Sequence, residues 1–178
     1  MSINTLLTNI QTAIVEAIPQ LKERHVTIHG GRVTAKTLKS HALANRAAVL
    51  LAALKVTSIR YDAGERWGEA RFIAFVSALD KPGEKNFARA ADLTEAVVGV
   101  VHNNNFDACA ENPEKLTATN LHSIELEKEG VSLWGVTWDQ YIKLADYTPE
   151  YFDWITSEIN SEPEPGPAVS SVITTEEG

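Results

Sequence analysis

The sequence predicts a mixed α/β domain of the α+β kind, a single, largely antiparallel sheet packed with helices, with an extended C-terminal arm behind it. Three observations lead there. Stretches with three- and four-residue apolar spacing alternate with β-branched or two-periodic stretches, in the order α, β, α, β, β, α, β, β. The chain has 178 residues, 44% of them hydrophobic, enough for one sizeable core. The charge also divides sharply, because Lys143 is the last base and eight acids follow it, from Asp146 to Glu177. With 24 acids against 16 bases in all, residues 1–144 are formally neutral and the net charge of -8 belongs to the arm. The division therefore falls between a domain at 1–144 and an acidic, proline-rich arm at 145–178.

The first helix is read from Leu6, Leu7, Ile10, Ile14, Ala17 and Ile18, which place an apolar stripe on one face. Pro19 ends it, since the residue before a proline is pushed out of the helical region. HVTIH (25–29) is short and β-branched and runs into Gly30-Gly31, a strand with a turn behind it. Residues 34–46 read as a helix carrying basic charge. The apolar run 47–61 fits a buried strand or a buried helix, and Val56, Thr57 and Ile59 favour a strand for its second half. GEARFIAFVSALD (68–80) is apolar on both alternating sets, which marks a central strand covered on both faces.

Pro82-Gly83 breaks that strand, and a helix is expected over 85–102 with Phe87, Ala91, Leu93, Ala96, Val97 and Val100 buried. Residues 103–118, with three asparagines and a proline, read as a loop. Strands are expected at 119–127 and 131–143, joined as a hairpin by Lys128-Glu129-Gly130 with glycine at a positive φ. On the last strand Trp134 and Trp138 should share a face and be largely buried.

Ser132 between Gly130 and Gly135 raises the question of a hydrolase. A nucleophile elbow needs G-x-S-x-G and a sharp turn from strand into helix, whereas here the spacing is one residue too long, Trp134 fills the crowded position and the strand continues. His25 and His29, four apart on a strand, lie about 13 Å from one another, too far to share an ion. Gly30-Gly31 with Lys36-Thr37 lacks the second glycine of a phosphate loop. Asn103, Asn104, Asn105 and Asp107 lack the spaced acids of a calcium loop and read as a polar turn. One cysteine, Cys109, makes neither a disulfide framework nor a thiolate metal site, and a reducing compartment fits. No apolar run reaches membrane-spanning length, and the start of the chain lacks the pattern of a signal peptide. Residues 22–60 carry eight bases against Glu23, but a neutral body, an acidic arm and no interleaved aromatics argue against specific nucleic-acid binding. No catalytic residue, metal ligand or cofactor is expected.

Residues 1–144 resemble the tail-terminator (tail-completion) proteins of Mu-type contractile-tailed bacteriophages and related prophages. The resemblance rests on the N-terminal amphipathic helix before a short strand, the alanine- and leucine-rich segment, the strand ARFIAFVSAL, the helix FARAADLTEAVVGVV and the closing pair NLHSIELEKEGVSLWGVTWDQYIKL. It implies a homo-oligomeric, hexameric ring that caps the tail tube, stops its polymerisation and joins the tail to the neck of the head. The implied partners are the tail tube protein, a neck or head-completion protein and the tail sheath, with no membrane. The implied place is the virion tail and neck, after assembly in the host cytoplasm. The alternatives are another neck or tail-completion component, or a small cytosolic ligand-binding or hydrolytic domain.

The arm lies outside the resemblance. Its tip, EINSEPEPGPAVSSVITTEEG, has the composition of a solvated segment. Against that, Tyr151, Phe152 and Trp154 could anchor it, and Val172 and Ile173 give its far end β-strand character. The expectation is that the arm crosses to an adjacent subunit or neck protein, its acids near Arg32, Lys36 and Lys39.

Overall fold

A strand apolar on both alternating sets has to lie in the middle of a sheet, and β3 (Glu65–Leu79) does. In the computed structural model, which describes residues 2–31, 33–34, 36–38, 40, 46–79, 86–106, 110–121 and 123–145, five strands form one sheet in the order β1-β2-β3-β5-β4. The others are β1 (Val26–Ile28), β2 (Ala47–Asp62), β4 (Glu114–Asn120) and β5 (Val131–Lys143). Only β1 and β2 pair in parallel; the remaining pairs are antiparallel. The fold is therefore α+β, as the sequence predicts.

Helix α1 (Ile3–Ala17) buries Leu6, Leu7, Ile10 and Ile14, capped at Ser2, whose hydroxyl accepts from the Thr5 N–H. Ile18 before Pro19 is extended and buried, while Ala17 is exposed. Gln11 donates to the Val26 carbonyl at 2.6 Å, which ties this helix to β1. Helix α2 (Asn86–Val101) packs beside α1 on the same face of the sheet. Its buried residues are Ala90, Leu93, Thr94, Val97 and Val101, and Phe87 is exposed, contrary to expectation. The inward stripe contains a threonine: Thr94 Oγ1 donates to the Ala90 carbonyl, so its polar group enters the core satisfied and shifts the face by part of a turn.

The helix-covered face of the sheet holds Val49, Leu51, Phe72, Ala74, Val76, Val136, Trp138 and Ile142 in the main core. Trp138 stacks on Phe72, with ring centroids 5.6 Å apart, and donates its indole N–H to Gln140. Gln140 in turn donates to the Glu111 carbonyl at 2.8 Å, fastening the loop before β4. Trp134 packs against the same core but only half-buried. The opposite face has a smaller core of Leu38, Ala48, Leu50, Leu126, Val131 and Leu133.

Two expectations need correction. All of 47–62 is strand, so the ambiguous apolar run is β from end to end. The expected strand at 119–127 is instead β4, placed earlier at 114–120, followed by the short helix α3 (Ile124–Lys128). Ser123 caps that helix by accepting from the Leu126 N–H, Glu125 and Glu127 lie in its first turn and Lys128 in its last. These local signals favour a helix over the hairpin. Gly130 does have a positive φ, 65°, as it leads into β5.

Of the helix expected at 34–46, residues 36–38 and 40 are helical, started by Thr34, whose hydroxyl accepts from the Thr37 N–H. The expected break at Pro82-Gly83 lies outside the described residues.

Candidate functional site

Among the described residues, the second face of the sheet is covered at only one end. Over residues 48–52, 73–79 and 131–135 it lies under Leu38, Leu121 and Leu126; Leu121 sits so close that a Cβ at Gly135 would meet its Cδ1 at 3.0 Å. Beyond Ile73 and Thr137 the apolar alternation gives way to charge and aromatic rings. β3 presents Arg71, Glu69, Trp67 and Glu65 there, and β5 presents Asp139, Tyr141 and Lys143, which pair across the ladder with Arg71, Glu69 and Trp67.

Arg71 and Asp139 face each other directly and form a bidentate pair, Nε to Oδ1 at 2.6 Å and Nη2 to Oδ2 at 2.7 Å. Lys115 adds a second cation to Asp139 at 3.1 Å and donates to Glu69 at 2.7 Å. The Asp139 side chain is 5% exposed. The Arg71 hydrogen bond, helped by Lys115 and opposed by burial, holds its carboxyl down at about 2. Arg71 and Lys115 are raised in turn by their acid partners.

Irregular backbone aims two of the cations. β4 is bulged between Glu114 and Thr117, with Lys115 in the left-handed region at φ 51°. β2 is bulged between Thr57 and Arg60, with Ser58 at φ 52°. The second bulge sends Arg60 over the Tyr141 ring, 4.9 Å from its centroid, and its Nε donates to the Tyr141 hydroxyl at 2.5 Å. Tyr141 stacks on Trp67 at 5.4 Å, and Lys143 pairs with Glu65. A shallow cleft of about 320 Å³ lies among Arg60, Glu69, Glu111, Glu114, Asp139 and Tyr141. Of the charges lining it, Glu69 and Asp139 are held by Lys115, and Arg60 by the Tyr141 hydroxyl.

Ser132 lies within the unbroken strand β5, opposite Ala78, so the strand-to-helix turn of a nucleophile elbow is not formed there. His25 sits in a 3₁₀ turn, its Nδ1 accepting from the Lys22 N–H, and His29 follows β1 with a buried Nδ1 that has no hydrogen-bond partner among the described residues. No group of three or more metal-ligating side chains comes together among the described residues, and no helix among them is long and apolar enough to cross a membrane.

Of the residues singled out from the sequence, Lys36 is exposed in the helical turn at 36–38. Arg32, Lys39, Tyr151, Phe152, Trp154, Val172 and Ile173 lie outside the described residues, as do Cys109 and Asp107. The charged and aromatic half-face was not singled out. Its signal is there in the sequence, as polar and aromatic residues at every second position, Glu65, Trp67, Glu69, Arg71 and again Asp139, Tyr141, Lys143, within otherwise apolar strands.

No protein-family model matches the chain, and no curated protein matches it. Among solved structures, the chain is similar to the sheath/tube terminator of an extracellular contractile injection system, PVC, in its extended state, with 14% sequence identity and a TM-score of 0.36. That similarity covers 99% of this chain, which spans 65% of the other's length. A likeness of this size carries no argument about function.

Proposed function

We propose that the chain is a structural, non-catalytic component of a contractile tail. In this reading it is the subunit of a six-membered ring that caps the tail tube, ends its polymerisation and joins the tail to the neck. It would meet the tube protein on one face and a neck or head-completion protein on the other, with the sheath alongside, in the virion tail and neck after assembly in the host cytoplasm. The sequence resemblance over residues 1–144 supplies the role. The observation that carries it from the side of geometry is the open half-face on β2, β3 and β5. A broad, mixed surface of paired charges and stacked rings has the make-up of a contact surface between proteins rather than of a concave apolar pocket for a small ligand. A closed ring explains termination physically: one face reproduces the interface of the tube and the other does not, so addition stops.

Electron microscopy of tails assembled without this protein tests the reading. Tubes of uncontrolled length are expected, and tubes of normal length joined to heads would reject it. Sedimentation of the purified chain should show a hexamer that grows with concentration.

A further inference from the structure

The outer edge of β2 is unpaired over half its length among the described residues. β1 pairs only with Val49, Leu50 and Leu51, and the His29 N–H adds one more bond to the Leu51 carbonyl at 2.7 Å. Gly31 then passes beside Ala52 and Leu54. From Lys55 to Asp62, β2 pairs with β3 on one side and has no partner strand on the other among the described residues. A free edge of N–H and C=O groups is a template for another strand. This one is flanked by Leu54, Ile59 and Tyr61, which are 44%, 59% and 74% exposed. The bulge at Ser58 divides it, so it suits a short segment better than a long flat strand.

We infer that residues 168–175, from the C-terminal arm of a second copy, add as a strand to this edge. The inference needs copies of the chain to assemble, as the ring reading has it, but not that the ring ends a tube. Position, reach and chemistry select this occupant. The Leu144 N–H donates to the Arg66 carbonyl and the Arg66 guanidinium donates to the Ala145 carbonyl, so the arm departs beside the far end of the β2–β3 hairpin. The chain's own free edge is two strand spacings from β5, about 10 Å. The spacer 146–167 spans up to about 70 Å when extended. It includes EPEPGP, a composition that favours extended backbone, and a spacer of that reach can bring the tip to a neighbour's edge.

The tip matches the edge chemically. AVSSVITT contains no proline or glycine and is rich in β-branched residues, and Val169, Val172 and Ile173 would meet the exposed apolar side chains. Lys55 is exposed, lies opposite Arg71 in the ladder and has no carboxylate partner among the described residues; Glu176 and Glu177 directly follow the docking segment.

Two full-length chains with different tags, both Cys109→Ser, test the exchange. One carries Tyr61→Cys, the other Val169→Cys, Ser170→Cys, Ser171→Cys, Val172→Cys or Thr174→Cys in turn, so that both faces of the added strand are sampled. Oxidation of the mixture should give a disulfide joining the two tags at one or more positions, lost when Ile173→Pro removes a backbone donor from the tip. No link between tags at any position, or links only within a single chain bearing both cysteines, would overturn the inference. Amide exchange over residues 55–62 should also be slower by about tenfold or more in the full chain than in a chain ending at 167, as for a strand that is closed against local opening; equal rates would overturn it. If hexamers persist in the shortened chain with exchange unchanged, the arm exchange fails and the ring stands. If the link between tags forms and no ring does, the ring fails and the arm exchange stands.

Discussion

Arg71 and Asp139 are direct cross-strand neighbours on β3 and β5, joined by two parallel N–H···O bonds on the open face of the sheet. Their pairing makes a pH prediction with a definite sign. The Asp139 carboxyl is held at about 2 against an ordinary 3.8, so the folded state binds its proton less readily than the unfolded chain. A depressed carboxylate contributes stability that is complete above the unfolded value and is lost as pH falls through the folded one. The shift corresponds to about 2 kcal/mol. In urea titrations, the stability difference between the natural chain and Asp139→Asn should be constant from pH 5 to 8 and shrink between about pH 4 and 2. A difference that does not change across that acid window would show that Arg71 and Lys115 do not hold Asp139 ionised.

Trp138 is 1% exposed and lies on Phe72 in the main core. Replacing it by alanine removes the largest buried side chain and leaves the Gln140 amide oxygen without the indole donor. Trp138→Ala should lower stability by about 3–5 kcal/mol, read from the urea midpoint at unchanged m-value. Trp134→Ala, at a half-buried position on the same face, should cost clearly less.

The same strand shows how much could be read locally. β5 runs from 131 to 143 as its alternation of Trp134, Val136, Trp138 and Ile142 requires, and α1 follows its stripe of leucines and isoleucines. β4 lies mostly outside the strand expected at 119–127 because an exposed edge strand, EKLTATN, has no apolar alternation to mark it. The Glu-rich run after it has the pattern of a hairpin arm, although Ser123 and the two acids behind it form a capping signal that starts a helix. The charged half-face was hidden for a different reason. Arg60, Lys115 and Tyr141 come from separate parts of the chain, and their meeting depends on register and on two bulges, neither of which leaves a local mark in the sequence.

Gly68 and Gly99 make a matched pair for testing the packing. A Cβ at Gly68 would lie 2.8 Å from Val56 Cγ1 and 3.4 Å from both Ile59 and Leu144, and the stiff valine cannot move aside without shifting β2. Gly68→Ala should therefore destabilise by about 1–3 kcal/mol. Gly99 is exposed within α2, where a Cβ would meet nothing within 4 Å. Gly99→Ala should stabilise by about 0.5–1 kcal/mol, because it lowers the entropy lost on forming the helix. Thermal unfolding of the two variants should move the midpoint in opposite directions.

Tyr61 separates folding from assembly. It lies near the end of β2, on the helix side of the ladder, and is the most exposed of the apolar or aromatic side chains on that strand. A side chain so open contributes little to the isolated fold, and Tyr61→Ser should change the urea midpoint by no more than about 0.5 kcal/mol equivalent. Aromatic anchors dominate contacts between proteins, since a large rigid ring buries much area at small entropic cost. If the hairpin end is buried between copies, Tyr61→Ser should shift sedimentation towards smaller species than the natural chain gives at the same concentration. The loss should be about tenfold in association for each ~1.4 kcal/mol removed from the contact. Tyr141→Phe serves as the comparison, because it removes the hydroxyl that accepts from Arg60 while keeping the ring stacked on Trp67. A Tyr61→Ser chain that is folded and sediments like the natural chain at every concentration tested would place any subunit contact elsewhere on the domain.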